Sequence, residues 1–527
     1  MTMNCNKLLC CLCCFVALGF CGGILNAADN QEIRGSAKLP PGPVMGINLA
    51  GISDWNTELP FVDVFLATRE WISQREGEEW GKGPELEVDE HGWIRRLEKN
   101  CWAEAPLCTI DGGHYPSGVY TVAYAGEGKL DFRNAKIVSE KAGLIEIDVD
   151  SSNGPFWLRI KETNPKNYIR NIHVYMPGYG TEASRASSGV WNPDFLNRWK
   201  SMKIFRTMDW QATNGSKLKE WKDRARPDDA IYSRVGLPYE VICDFIERTD
   251  ADLWICVPDD ADDDYVRKMA ALLKENLSVE KKIYLEYSNE VWNFSFEQNR
   301  RAVQKGRALK MAETDWEAAW FYTARRSVEI FNIFEEVFGG HGRLIRILPS
   351  QAANPYVSEQ ILKFEDAWKH ADALAIAPYV GWGVSVEEKD EVLKLGVDGT
   401  LDRMKNKILP ETKDMMRKQK ELADQYGLGL VAYEAGQHLV GLWVANDDEA
   451  LNKILTAANR SERMGAIYGD YYRAWEEIGG RTLCHFSSVG AWSKWGSWGL
   501  IEYADETEKD SPKYRVALDY AKKWNRR

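Results

Sequence analysis

Residues 252–286 read DLWICVPDDADDDYVRKMAALLKENLSVEKKIYLE. An apolar run at 252–257 is followed by a charged segment, 265–276, with apolar residues at helical spacing, and then by a second apolar run at 282–286. Short apolar runs predict buried strands, and the spacing in the middle segment predicts a helix. A strand, a helix and a second strand in this order are typical of a parallel sheet that helices cover on both sides.

The same alternation continues on both sides of this stretch. Predicted strands begin near Gly46, Lys203, Asp252, Lys282, Arg343, Ala373, Leu428 and Thr482. Predicted helices cover 195–202, 239–249, 265–276, 296–338, 357–370, 401–426, 449–478 and 512–524. Eight such units in 527 residues predict an α/β fold, a (β/α)8 TIM barrel, rather than an open doubly wound sheet. An open sheet would usually carry a glycine-rich phosphate turn after an early strand, and the sequence has none.

The stretch between the first and second predicted barrel strands has a different pattern. Residues 119–124, 129–132, 144–149 and 156–161 alternate apolar and polar side chains, and Gly, Asn and Lys separate the runs. Short alternating strands of this kind predict a small β-sandwich. We therefore predict the first barrel strand and its loop at 44–84, an inserted sandwich domain at 85–177 and the rest of the barrel at 178–527.

The beginning of the chain, residues 1–27, has the pattern of an export signal. Lys7 precedes an apolar run at 8–20, and Leu25-Asn26-Ala27 offers a cleavage point. The run is too short to be a comfortable membrane span. Acylation of Cys21 is the alternative, which the bulky Phe20 disfavours. We predict a secreted, periplasmic or cell-surface protein without a membrane span.

Composition narrows the classes of partner. A formal net charge of -12 argues against nucleic acid. Many of the 22 Trp stand next to Gly, Asp, Asn or Ser, which predicts aromatic faces at loop ends that can stack on sugar rings. The acidic run 259–264 predicts either a solvated helix start or a calcium site.

The cysteines fall into two groups. Six of the 11 lie in or beside the predicted signal. Cys101 and Cys108 are close enough to close a small disulfide loop, which export permits. Cys243, Cys256 and Cys484 lie within apolar patterns, which predicts buried thiols.

Two predicted strands end in a glutamate. The fourth leads into Ser288-Asn289-Glu290 and the seventh into Tyr433-Glu434. Functional residues of such barrels lie at the C-terminal ends of strands, and strands four and seven face each other across the mouth. Two carboxylates about 5 Å apart suit the double displacement of a glycosidic bond, with one attacking the anomeric carbon and the other exchanging protons.

These motifs resemble the clan A glycoside hydrolases, a barrel superfamily of retaining enzymes. The resemblance covers 45–51 and then about 192 onward. It implies that Glu290 is the acid/base, that Glu434 is the nucleophile and that Asn289 binds the sugar's 2-hydroxyl. It also implies site roles for Arg206 at the end of strand two, Tyr379 after strand six and Trp492 after strand eight. Trp292, His438 and Asp209 are further candidates for sugar contacts.

The resulting prediction is a retaining β-glycoside hydrolase that needs no cofactor or metal and acts on a poly- or oligosaccharide of the glucan, xylan or mannan type. Glu290 should have a raised pKa while Glu434 is ionised. Glu286, within strand four, is interpreted as a barrel-layer or surface residue. The alternative is a non-catalytic carbohydrate-binding protein on a barrel scaffold. A metal-dependent hydrolase is disfavoured because the seven His are scattered singly.

Overall fold

Eight parallel strands close into a barrel in chain order. The computed structural model describes residues 39–186 and 188–526, so the predicted export signal and Cys21 lie outside the described residues. The barrel strands are Val44–Asn48, Ile204–Arg206, Asp252–Val257, Ile283–Tyr287, Leu344–Pro349, Ala373–Ile376, Gly429–Ala432 and Thr482–His485. All eight predicted strands are present, and the predicted (β/α)8 barrel is confirmed.

Apolar side chains on both faces of the strands hold this barrel together. All five residues of the fourth strand are buried. One cluster, which includes Trp254 and Tyr284, fills the barrel interior, and a larger one joins the outer faces of the strands to the helices. The α-helices are Glu182–Arg185, Pro193–Trp199, Tyr239–Thr249, Asp263–Asn276, Glu297–Ala308, Asp315–Phe338, Pro355–Lys363, Val386–Arg403, Leu409–Gln425, Glu449–Arg460, Glu462–Glu477 and Pro512–Trp524.

Several of the predicted helices are divided in the structure, 296–338 and 449–478 among them. The stretch 296–338 forms two helices, 297–308 and 315–338, because the chain turns at Lys310, whose φ is 56°. The stretch 449–478 is interrupted at Ser461, which ends one helix and caps the next by accepting from the Arg463 amide. A side chain that caps a new helix competes with continuation of the previous one, a preference that apolar periodicity does not reveal.

Two four-stranded antiparallel sheets lie between the first and second barrel strands. In spatial order, one contains Ile72–Arg75, Cys101–Leu107, Phe156–Thr163 and Gly128–Arg133, and the other contains Arg170–Tyr175, Gly118–Ala125, Leu144–Val149 and Ala135–Lys141. The sheets share an apolar cluster of their own. The domain boundaries 85–177 remain a prediction, and the first of these strands lies ahead of residue 85.

A parallel two-stranded ladder extends the barrel beyond its sixth and seventh strands. Val380–Val384 pairs with Gln437–Gly441, and a 3-10 turn at Trp443–Asp447 follows. Because these segments come directly after the barrel strands, they stand at the C-terminal mouth and form one wall of it.

Several local predictions meet their outcome here. Cys243, Cys256 and Cys484 are buried thiols, as predicted, and so are Cys101 and Cys108, which therefore do not form the disulfide that their spacing permits. The acidic run begins a helix, 263–276, where the Asp262 side chain accepts from the Tyr265 amide. No helix within the described residues is long and apolar enough to span a bilayer.

Candidate active site

A cavity of about 560 Å³ opens at the C-terminal mouth of the barrel. Glu290, Glu434 and Asn289 line it together with Tyr379 and Asp209, so the barrel brings together predicted residues from four different strand ends. The mouth is the place where a barrel of this class holds its functional groups. The volume is in the range of pockets that hold small organic ligands.

Arg206 is the electrostatic centre beneath this cavity. It is fully buried at the end of the second strand, and its Nε and Nη2 donate to the two oxygens of Glu286 at 2.9 and 3.1 Å. Its Nη1 donates to Asn48 Oδ1 and to Glu434 Oε1, both at 3.0 Å, and its Nη2 also reaches Asn289 Oδ1 at 2.8 Å. One guanidinium therefore holds both carboxylates and both amides in fixed positions.

Glu434 stands two residues after the seventh strand and is 7% exposed. Its Oε1 accepts from Arg206, and its Oε2 accepts from the Tyr379 hydroxyl at 2.9 Å. Burial raises the pKa of Glu434, whereas the Arg206 charge and these two donors lower it. Both oxygens are thus held by groups that stabilise the ionised form.

Glu290 has a different set of partners. The Asn293 side-chain amide donates to its Oε2 at 2.9 Å, and the Tyr433 hydroxyl donates to its Oε1 at 3.1 Å. Burial and the negative charge of Glu434 raise the pKa of Glu290. Hydrogen bonds from neutral donors do not replace a cation, so the surroundings of Glu290 favour the protonated form more than those of Glu434 do.

The loop that carries Glu290 has an unusual backbone. Ser288 has a φ of 55° and Glu290 a φ of 43°, both in the left-handed region. Such a conformation at a non-glycine residue costs on the order of 1 kcal/mol and persists where surrounding contacts impose it. The loop is fixed by Gln298, whose Nε2 donates to the carbonyl of Asn289 at 2.9 Å, and by Asn299, whose Nδ2 donates to that of Val291 at 2.7 Å.

The remaining predicted residues are divided between the cavity and its surroundings. His438 lines the cavity, edge-on to Tyr379, and burial lowers its pKa to about 4, so it is neutral. Trp492 lies behind the wall, with Lys513 Nζ 4.0 Å from its ring centre, and Trp498 lines the cavity instead. Trp292 packs against the apolar core and is not among the described residues that line the cavity.

Sequence reasoning missed several neighbours of the two carboxylates. Glu286 is fully buried, which confirms the barrel-layer interpretation and excludes the surface one, but its pairing with Arg206 was not foreseen. Tyr433 and Asn214 were also missed. Val431 and Tyr433 both belong to the cluster that fills the barrel interior, so the alternation of inward-facing side chains was a signal available in the sequence. Asn214, which accepts from Asn289 Nδ2 at 3.0 Å, lies in an irregular loop and leaves no such signal.

A separate group of side chains could hold a metal ion. The ligand atoms of His91, Asp228 and Asp229 lie within 4.8 Å of one another. None of the three lines the cavity at the barrel mouth.

No protein-family model and no curated protein matches the chain. Among solved structures, it is similar to a 4-O-α-L-rhamnosyl-β-D-glucuronidase from Fusarium oxysporum 12S, with 11% identity, a TM-score of 0.37 and coverage of 62% of this chain and 63% of that one. The chain therefore spans less than two thirds of that enzyme. It is also similar to a Bacteroidetes-affiliated GH5 cellulase, with 12% identity, a TM-score of 0.36 and coverage of 62% and 82%. An endo-1,4-β-D-mannanase from Thermotoga petrophila RKU-1 has 13% identity, a TM-score of 0.33 and coverage of 62% and 94%.

Proposed function

We propose that the protein is a secreted retaining β-glycoside hydrolase in which Glu434 is the nucleophile and Glu290 the general acid/base. The observation that carries the proposal is the unequal environment of two buried carboxylates in one cavity. Glu434 binds the Arg206 cation, whereas Glu290 has neutral donors and a raised pKa. One ionised and one protonated carboxyl flanking the same space is the requirement of double displacement.

In the first step, an oxygen of Glu434 attacks the anomeric carbon of the bound sugar. The bond from that carbon to the glycosidic oxygen breaks, and the leaving oxygen takes the proton of Glu290. The product is a glycosyl ester on Glu434. Asn289, held by Arg206 and Asn214, presents its amide to the hydroxyl next to the reacting carbon.

In the second step, the ionised Glu290 takes a proton from water, whose oxygen attacks the same carbon and releases Glu434 as a carboxylate. Because the ester has no charge, the repulsion that raised the pKa of Glu290 is absent at this stage, and the carboxyl ionises more readily. The same residue therefore serves as acid and then as base.

Aromatic side chains favour a carbohydrate as the substrate, with a poly- or oligosaccharide of the glucan, xylan or mannan type as the proposed class. Trp443, Trp495 and Trp498 line the cavity. Trp443 and Trp495 are 53% and 56% exposed, so their faces are open to a ligand. An indole face matches the apolar C–H face of a sugar ring.

The test is covalent labelling with 2,4-dinitrophenyl 2-deoxy-2-fluoro β-glycosides of glucose, galactose, mannose and xylose, followed by intact-mass measurement and peptide mapping. The fluorine slows the second step, so we expect one glycosyl adduct, on Glu434. Glu434→Gln should give no adduct. Glu275→Gln, at an exposed position on helix 263–276, is the matched control and should label like the wild type.

The contrary outcomes are equally specific. An adduct on another carboxylate would overturn the assignment of the nucleophile. Absence of any adduct, together with no turnover of a panel of glucans, xylans and mannans, would overturn the proposed hydrolase and favour a protein that only binds carbohydrate.

A further inference from the structure

A third carboxylate, Asp209, lines the cavity beside Glu434. It follows the second barrel strand by three residues and is partly buried. Its backbone carbonyl accepts from the Ala212 amide, but among the described residues its carboxylate has no hydrogen-bond or ion-pair partner. Arg206, a buried cation whose charge acts on Asp209, is already bound by Glu286 and Glu434.

An acceptor left without a donor in a partly buried site calls for a ligand that supplies one. An ionised carboxylate has acceptor sites on both oxygens and no donor. Desolvation without hydrogen bonds is costly, and buried polar groups are paired in the great majority of cases. Burial and the charge of Glu434 raise the pKa of Asp209 to about 7, and the charge of Arg206 offsets this only in part. A sugar hydroxyl is a donor of the required kind.

The charges around the cavity restrict which sugar can enter. Asp209, Glu290 and Glu434 are acidic, and Lys494 is the one Lys or Arg among the described lining residues. Its ammonium lies 2.6 Å from Asp447 and 4.7 Å from the ring centre of Trp495. His438 is neutral because burial lowers its pKa. Among the described lining residues, no unpaired cation is therefore available to bind the carboxylate of an acidic sugar. Glu434 would repel that carboxylate, and so would Asp209 above about pH 7.

We propose that Asp209 accepts hydrogen bonds from hydroxyl groups of the sugar bound against Glu434, and that the cavity thereby selects neutral glycosides over glycosides of uronic acids. This inference rests on the proposed hydrolase function and adds to it the class of sugar and the residue that recognises it. Asp209 is a binding residue in this scheme and takes no part in proton transfer.

The test compares kcat/KM for matched pairs of 2,4-dinitrophenyl β-glycosides: glucoside with glucuronide, galactoside with galacturonide, and mannoside with mannuronide. For the sugar that the wild type cleaves, we expect kcat/KM for the neutral glycoside to exceed that for the corresponding uronide at least 100-fold. A hydrogen bond to a charged group corresponds to roughly 10- to 100-fold in kcat/KM. In Asp209→Asn, kcat/KM for the neutral glycoside should fall by about that factor. The ratio of kcat/KM for the neutral glycoside to that for its uronide should fall at least tenfold.

Deoxy substrates locate the hydroxyl that Asp209 binds. Removal of that hydroxyl from the neutral substrate should reduce kcat/KM of the wild type about tenfold or more. It should change kcat/KM of Asp209→Asn little, because the variant has already lost the interaction. If the role of Asp209 were purely structural, Asp209→Asn would lower kcat/KM by the same factor for all substrates. Asp264→Asn, which removes an exposed carboxylate on helix 263–276, is the control and should leave the ratio unchanged.

The outcomes separate a failure of the inference about Asp209 from a failure of the proposed hydrolase function. Adduct formation on Glu434 with an unchanged ratio in Asp209→Asn, or a wild-type preference for the uronide, would overturn this inference alone. Absence of turnover and of any adduct would overturn the proposed function and this inference with it. Asp209→Asn should unfold at a temperature at least as high as the wild type, because it removes repulsion from Glu434, so misfolding can be recognised separately.

Discussion

Arg206 links the residues on which the proposed chemistry depends. Its guanidinium contacts Glu286 and Glu434 within 3.1 Å, so one positive charge is shared by two carboxylates, and the other contacts are amides. Removing one partner of a buried ion pair typically costs 3–5 kcal/mol because it leaves an unpaired charge. The pairing with Glu286 therefore anchors the guanidinium, and the contact with Arg206 favours the ionised form of Glu434.

The pH dependence of kcat/KM should report these two environments. The proposed reaction requires an ionised Glu434 and a protonated Glu290, so we expect a bell-shaped profile. Its alkaline limb should lie above the range of an ordinary carboxyl, because burial and the Glu434 charge raise the pKa of Glu290. In Glu290→Gln, assayed with 2,4-dinitrophenyl glycosides whose leaving group needs no acid, the alkaline limb should disappear.

Loss of the acid should also depend on the leaving group. Glu290→Gln should reduce kcat/KM about 10²- to 10⁴-fold for an unactivated glycoside and much less for the dinitrophenyl glycoside. Asp209, with a pKa raised to about 7, is another group able to produce an alkaline limb. A limb that survives in Glu290→Gln and vanishes in Asp209→Asn would refute the assignment of Glu290 as the acid.

Among the structural elements, the loop that follows the eighth strand shows how a cavity wall is held from behind. The carbonyl of Ser497 accepts from Lys513 Nζ at 2.7 Å and from Gln437 Nε2 at 2.8 Å. Lys513 is fully buried on the last helix, and its Nζ also donates to Asn459 Oδ1 at 3.1 Å. The aromatic residue next to Ser497, Trp498, faces the cavity. A helix remote from the site therefore positions an aromatic side chain within it.

Replacement of Lys513 by methionine should move this wall. The chain length is retained, but the Ser497 carbonyl loses one donor, which we expect to lower the free energy of unfolding by about 1–3 kcal/mol. KM should rise roughly tenfold with a smaller change in kcat, because binding is affected more than proton transfer. Urea unfolding measures the change in stability. Steady-state kinetics with the 2,4-dinitrophenyl glycoside of the sugar that the wild type cleaves measures KM and kcat.

Lys522→Met provides the comparison. Lys522 lies on the same helix but is exposed, and its ammonium is 3.8 Å from Glu508. It should change neither stability nor KM by more than a small factor, since exposed ion pairs contribute little. Equal effects of the two substitutions would show that Lys513 stabilises the helix without positioning the loop.

At the scale of the whole molecule, a buried acid lies where the barrel meets the inserted sheets. Glu58 is 1% exposed, and the Trp199 indole donates to its Oε1 at 2.8 Å. It lines a second cavity, of about 260 Å³, together with Tyr115 from the inserted segment and Arg198 from a barrel helix. Burial raises the pKa of Glu58 to about 7.

This raised pKa makes stability depend on pH. The folded state holds the Glu58 proton more tightly than the unfolded state, so its contribution is fully present below the unfolded pKa of 4.5 and is lost as pH rises through about 7. Glu58→Gln should remove that loss. Relative to the variant, the wild type should become less stable between pH 5 and 8 by up to about 3 kcal/mol. Urea unfolding at four pH values in this range tests the sign.

Glu90→Gln, at an acid whose side chain is 77% exposed, is the control and should follow the wild type at every pH. A stability difference between wild type and Glu58→Gln that is constant from pH 5 to 8 would contradict the burial argument. Asp209, with a pKa raised in the same direction, should add to the pH dependence that remains in Glu58→Gln.

Much of this architecture is visible in local sequence patterns. Apolar runs such as 252–257 and 282–286 lie between predicted helices and form strands that are buried on both faces. The strand ends then locate Glu290 and Glu434 at the mouth of the barrel. Helix ends were less predictable: the break at Lys310 and the cap at Ser461 depend on single residues that do not alter the apolar period.

The partners of the two glutamates depend on contacts between distant parts of the chain. Arg206 and Glu434 are 228 residues apart, and Tyr433 and Glu290 are 143 apart. The presence of Trp498 rather than Trp492 in the cavity depends on the last helix, which places Lys513 over Trp492. Local periodicity specifies which residues form strands and helices, whereas burial, hydrogen-bond partners and the resulting proton affinities arise only when separate elements pack together.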